Sequence, residues 1–191
     1  MKVGLFFGSF NPIHTGHLII ASILVETTDI DKVWFVVSPQ NPLKSRKSLL
    51  HEFDRLVMAR AAINDNGNLE VSDVEFRMPK PSYTIDTMMY LAEKHADKRF
   101  VLIIGEDNLK TFPKWKNFKI IIEKFEVYVY PRPTSVDFDL KTHPNIHMVE
   151  APMIDISATF IRKCIKQSRS VRYLVPDLVE EMIRSKMFYQ N

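Results

Sequence analysis

The stretch Met1-Lys-Val-Gly-Leu-Phe-Phe-Gly-Ser-Phe-Asn-Pro-Ile-His-Thr-Gly-His-Leu18 decides the fold of this chain. Its apolar run, Val3 to Phe7, stops at Gly8. A polar turn with two histidines follows, and a helical apolar pattern begins at Leu18. That order predicts a strand, a tight loop and a helix. It sets backbone N–H groups, a helix N-terminus and two imidazoles at the carboxyl end of the first strand, where an open α/β sheet binds its ligand. Such groups suit the phosphates of a nucleotide.

The loop carries neither common phosphate signature. Gly8 is followed by Ser9-Phe10-Asn11-Pro12 and no P-loop lysine, and G-x-G-x-x-G is absent. The pattern is G-S-F-N-P-x-H-x-G-H. Gly8 is expected to let the backbone approach a ligand closely. Pro12 fixes its own φ and holds Asn11 extended. Gly16 is expected just before the helix, keeping its mouth open. With a helix starting near Thr15, His14 and His17 both face the cleft at the positive end of the helix. One histidine here would read as an ordinary loop residue; two, beside Gly8 and Gly16 at a strand-to-helix switch, read as functional. Zinc is a weaker reading, because no third or fourth ligand falls at tetrahedral spacing. No protein-held metal is expected.

The remaining chain of 191 residues alternates strands and helices. Strands are predicted at Val33–Val37, Val71–Phe76, Phe100–Ile104, Glu126–Tyr130 and Ile146–Val149. Helices are predicted at Thr15–Thr27, Ser48–Asp65 (core stripe Leu49, Phe53, Leu56, Val57, Ile63), Tyr83–His95 (Ile85, Met88, Met89, Ala92) and Ala158–Ile165. Two short helices are expected within Leu109–Phe125, and the last helix starts at a capping box, Asp177-x-x-Glu180. The continuous β-branched runs are those of parallel strands buried on both faces. The fold class is therefore α/β, a doubly wound parallel sheet in a single domain over 1–191, with a C-terminal helical part from about 157. A net charge of +3 is too mild for a nucleic-acid binder and suits phosphate substrates. No apolar run reaches membrane-span length and no signal peptide is visible, so a cytoplasmic location is expected. Cys164, the only cysteine, reads as a small core residue.

The first motif resembles that of the nucleotidyltransferase superfamily with an H-x-G-H signature, which has a Rossmann-like fold. The resemblance demands a second phosphate motif near the C-terminus. Ile156-Ser157-Ala158-Thr159-Phe160-Ile161-Arg162 supplies it, with Ser157 as N-cap of a helix and Arg162 as a forked cation. Pro81-Ser82-Tyr83-Thr84-Ile85-Asp86-Thr87, Gly105-Glu106-Asp107 and Trp115 are similar to the corresponding motifs of bacterial nicotinate-nucleotide adenylyltransferases, in the same order. Two features depart from that family. Ser9-Phe10-Asn11-Pro12 is closer to eukaryotic relatives that also accept the amide, and Asn41-Pro42-Leu43-Lys44 keeps a basic position without the family's histidine.

The resemblance implies adenylyl transfer from ATP to nicotinate mononucleotide, giving deamido-NAD and pyrophosphate. It implies catalytic roles for His14, His17 and Arg162. It implies ATP contacts from Gly8, Ser9, Phe10, His14, His17, Gly105, Asp107, Ser157 and Arg162. Lys44, Tyr83, Thr84 and Trp115 would bind the acceptor, the helix mouth at Tyr83-Thr84 meeting the nicotinate carboxylate and Trp115 stacking on the ring. Magnesium (Mg2+) would arrive with ATP. Partners would be these small molecules, with no nucleic acid and no membrane, and a homo-oligomer stays open. The rival readings are a phosphopantetheine adenylyltransferase, an RNA-binding relative and a silent nucleotide sensor.

Overall fold

The apolar runs become strands. β1 (Lys2–Gly8), β2 (Lys32–Val37), β3 (Leu69–Ser72), β4 (Arg99–Gly105), β5 (Val127–Tyr130) and β6 (Ile146–Met148) form one sheet in the computed structural model, which describes residues 1–39, 49–64, 66–133 and 139–190. The strand order is β3-β2-β1-β4-β5-β6 and every neighbouring pair is parallel. The winding reverses between β1 and β4, so the carboxyl ends of these two strands flank a crevice.

Helices cover both faces: α1 (Thr15–Thr27), α2 (Glu52–Ile63), α3 (Thr84–Lys94), α4 (Glu106–Leu109), α5 (Phe118–Lys124), α6 (Ala158–Lys166) and α7 (Asp177–Ser185). Side chains alternate along each strand. Val3 and Leu5 therefore join Trp34, Val36 and Leu102 under α3, with Ile85 and Met88. Phe6 joins Phe35 and Ile103 on the opposite face, under Ala21 and Leu24 of α1, Leu56 of α2, Cys164 of α6 and Val179 of α7. Burial on both faces is why β1, β2 and β4 read as unbroken apolar runs.

Several local expectations are corrected. The predicted strand Val71–Phe76 ends at Ser72, and Val74–Arg77 is a 3-10 turn. β3 is an edge strand whose pairing with β2 stops at Val36↔Ser72. The turn then swings Glu75 inward. The helix read at 48–65 is shorter, with His51 as its N-cap; residues 48 and 65 lie outside the described ones. Its buried face is Arg55, Leu56, Met58 and Ala59, while Phe53 and Val57 are exposed. On α3, Leu91 is buried and Met89 is not. Gly16 is the second residue of α1 rather than a residue before it. The first short helix of the 109–125 region already starts at Glu106. The capping box at Asp177 does not form: Pro176 is the N-cap and no side chain caps the helix.

Arg55 explains the rotation of α2. It is 0% exposed, and its guanidinium donates to the carbonyl of Ser9, to Ser38 O (2.8 Å), to Pro39 O (2.9 Å) and, through Nε, to Leu50 O (2.9 Å). It thereby joins the loop after β1, the loop after β2 and the approach to α2. Burial depresses its pKa, and a guanidinium stays charged regardless. Loss of one buried partner leaves several carbonyls unsatisfied, which costs on the order of 3 kcal/mol or more. Arg55→Met is therefore expected to lower urea-unfolding stability by about 3–5 kcal/mol, and Arg60→Met, on the exposed side of the same helix, by less than about 0.5 kcal/mol. Equal effects of the two would contradict this account.

Candidate active site

A cavity of about 710 Å³ opens where the winding reverses. The loop after β1 lines it with Gly8, Ser9, Phe10, Asn11, His14 and His17. The end of β4 contributes Gly105 and Asp107, the approach to α3 contributes Tyr83 and Thr84, and α6 contributes Ser157 and Arg162, with Trp115 on the remaining wall. All the residues to which the resemblance assigns a catalytic or binding role, apart from Lys44, thus line one cavity. Lys44 lies outside the described residues.

His14 is the N-cap of α1 and His17 its third residue, so the helix itself sets their spacing. The rings stack with centroids 3.6 Å apart. The backbone N–H of His14 donates to His17 Nδ1 at 3.2 Å. An accepting Nδ1 places the proton of the neutral ring on Nε2. Phe10 packs edge-on against His17, with centroids 5.1 Å apart, and fixes its plane. His14 is only 3% exposed, and its buried Nδ1 has no hydrogen-bond partner among the described residues. Burial, aided by the charge of Arg132, pulls its pKa down to about 4. At neutral pH it is an uncharged ring.

Both glycines of the motif stand against neighbouring side chains. A Cβ on Gly8 would stand 2.8 Å from the Phe10 ring, so the space at Gly8 is taken by Phe10, itself buried. Phe10 adopts φ 43°, a left-handed conformation that an aromatic residue keeps only where packing holds it. A Cβ on Gly16 would press on His14 Nδ1 and Ile154 at 3.2 Å each.

The Ser157–Arg162 motif meets the histidine motif. Ser157 caps α6 by accepting from the N–H of Phe160 at 3.2 Å. Arg162 donates to the carbonyl of Asn11 at 2.7 Å, which ties α6 to the loop after β1. Asn11 Oδ1 in turn accepts from Tyr189 Oη (2.9 Å) and from the N–H of Leu50 (3.2 Å). At the other end of the cavity Tyr83 is the N-cap of α3 without a side-chain cap bond, and Lys116 lies over its ring at 4.7 Å. Trp115 stands edge-on to Phe112, its Nε1 unpartnered among the described residues.

Sequence reasoning missed three residues here. Arg132 sits in a stretch read only as loop. Its guanidinium lies against Tyr130, donates to Ile154 O (3.1 Å), and comes within 3.8 Å of Asp107. Glu75 was placed on a strand, yet it is 2% exposed on the cavity wall, where it accepts from Ser82 Oγ (2.8 Å) and Thr87 Oγ1 (2.9 Å). Arg55 lies in the predicted helix but outside the core stripe read for it. The one available signal was a charged residue at a helical position flanked by Leu56, Met58 and Ala59.

Comparison with known proteins gives a consistent set of relatives. The cytidylyltransferase-like family model matches residues 5–164. A probable nicotinate-nucleotide adenylyltransferase of Cytophaga hutchinsonii is 56% identical over 191 residues, with 100% of both chains covered. Another of that name, from Flavobacterium johnsoniae, is 47% identical, again with 100% of each chain covered. In fold, the chain is similar to Plasmodium falciparum nicotinic acid mononucleotide adenylyltransferase complexed with NaAD (TM-score 0.84, 19% identity, 98% of this chain and 97% of that one).

The state of His14 has a measurable consequence. Its ordinary pKa is 6.5 and its folded value about 4. Between these values the unfolded chain binds a proton that the folded chain refuses. The stability tied to neutral His14 is therefore complete above pH 6.5 and falls away toward pH 4, by on the order of 3 kcal/mol. Unfolding of wild type and His14→Gln across this range is expected to show that slope in the wild type alone. An imidazole NMR titration of His14 with a midpoint near 6.5 would contradict it.

Proposed function

The chain belongs to the cytidylyltransferase-like family, and from that membership and the paired-histidine cleft we propose that it transfers the adenylyl group of ATP to nicotinate mononucleotide. The products are deamido-NAD and pyrophosphate, and the place of the reaction is the biosynthesis of NAD. The observation that carries the reading is the stacked His14–His17 pair, held at the mouth of α1 and joined through Asn11 to Arg162 of α6. Two helix N-termini and three cationic or N–H-donating side chains converge there, an arrangement that neutralises a polyphosphate.

The acceptor phosphate oxygen attacks the α-phosphorus of ATP in line. A new P–O bond forms, the bond from the α-phosphorus to the bridging oxygen breaks, and pyrophosphate leaves with the electron pair. A phosphate monoester dianion needs no general base, so catalysis is positioning and charge stabilisation. His17 Nε2–H donates to the α-phosphate as charge builds on its oxygens. His14 and Arg162 hold the phosphates that become pyrophosphate, with the backbone of Gly8, Ser9 and Phe10 and the mouth of α6 at Ser157. Gly105 and Asp107 meet the adenylate ribose or backbone. The nicotinate carboxylate takes the N–H groups at Tyr83 and Thr84, with Trp115 against the ring and Lys44 near the acceptor phosphate. The helix dipole at that mouth favours the acid over the neutral amide. Magnesium is carried by the ATP phosphates as part of the substrate.

No described helix is long and apolar enough to cross a membrane, and we place the reaction in the cytoplasm, without nucleic acid.

Pyrophosphate release from Mg-ATP, measured in parallel with nicotinate mononucleotide, nicotinamide mononucleotide and phosphopantetheine, tests the reading. The first is expected to be strongly preferred; turnover with phosphopantetheine alone would overturn the acceptor. His17→Ala is expected to lower kcat by about 10²- to 10³-fold in a folded protein. Near-normal kcat would remove the role given to that ring.

A further inference from the structure

Resting on the functional reading above, we propose that Glu75 is the positioning residue that fixes the mouth of α3 and thereby sets the preference for a pyridine carboxylate over the amide. The groups given that task are the backbone N–H groups at the start of α3. These are free donors at any helix N-terminus, and their aim depends on what holds the first turn. The N-cap, Tyr83, supplies no capping side chain. One carboxyl supplies the hold instead. Glu75 Oε2 accepts from Ser82, the residue before the N-cap, at 2.8 Å, and Oε1 accepts from Thr87, on the fourth residue of α3, at 2.9 Å. The two oxygens bracket the mouth from both sides.

The carboxyl also reaches beyond α3. The Ser38 hydroxyl bonds to it from the loop after β2. The carbonyl of Ser38 is one of those held by Arg55, which also holds Ser9. Glu75 thus fixes the acceptor end of the cavity relative to the loop that carries the histidine pair. Its side chain comes from the turn that interrupts the predicted strand, it is 2% exposed, and it forms part of the cavity wall. Burial pushes its pKa up, and the three hydroxyl donors offset that in part by favouring the carboxylate. The three hydroxyls spend their protons on Glu75, so it is the fixed backbone N–H groups that remain to read the substrate.

The test is steady-state kinetics of wild type and Glu75→Gln with ATP and each of the two pyridine mononucleotides, beside a melting curve. The amide retains shape but forces one of the three hydroxyls to turn and accept. The expected result is a KM for nicotinate mononucleotide raised about tenfold, a KM for ATP within about twofold, and a ratio of kcat/KM for acid over amide reduced about tenfold. A purely structural role would depress both acceptors and ATP together and leave the ratio unchanged, and that result overturns the proposal. If Glu75→Gln does not fold, Thr87→Val and Ser82→Ala each remove one hydroxyl and are expected to lower the ratio about threefold; an unchanged ratio in both overturns it equally. Wild-type protein that fails to use nicotinate mononucleotide would instead refute the functional reading itself.

Discussion

The buried guanidinium of Arg55 is the interaction on which the cleft depends. A parallel sheet leaves its loops at the carboxyl edge with carbonyls that no neighbouring strand satisfies. Here the loops after β1 and β2 point several of those carbonyls at one cation, and α2 is turned so that the cation comes from its inner face. No carboxylate pairs with Arg55 among the described residues; carbonyl dipoles carry its charge. The arrangement holds Ser9 at a fixed distance from Ser38. The histidine loop is thereby connected to the loop that leads, through Glu75, to the opposite end of the cavity.

From that anchor the chemistry follows by short steps. Phe10 is forced into a left-handed conformation and fills the space that Gly8 vacates. Its ring braces His17, whose Nδ1 is occupied by the backbone of His14, so the proton of the neutral ring sits on Nε2. The same packing leaves His14 buried, neutral and with one unsatisfied nitrogen. Arg162 is steered by the carbonyl of Asn11, so its side chain is placed by the histidine loop rather than by its own helix alone.

Much of this was legible in the residues. Continuous apolar runs at Val3–Phe7, Val33–Val37 and Phe100–Ile104 announce buried parallel strands, and the observed strand order puts the predicted loops side by side. The motif residues were legible because backbone geometry alone dictates them: glycines where rings must pass, an N-cap serine at 157, histidines one helical turn apart. What was not legible depends on tertiary contacts. Arg55 and Glu75 are charged residues turned inward, and their partners are hydroxyls and carbonyls distant in sequence. Arg132 lies in a segment without periodicity. Phe53, Val57 and Met89 sit at apolar positions of helices whose rotation is set by such polar contacts rather than by apolar area. The absence of a cap at Asp177 reflects a one-residue difference in where the helix begins.

The central claim is that one cavity holds the nucleotide at the paired histidines and the pyridine at the mouth of α3. A crystal structure of this chain with deamido-NAD bound tests it most directly. The account predicts the dinucleotide phosphates beside His14 and His17 Nε2, with the pyridine carboxylate within hydrogen-bond distance of the N–H groups at Tyr83 and Thr84. A dinucleotide bound in the reverse direction, or one whose pyridine carboxylate makes no contact with that helix mouth, would contradict it.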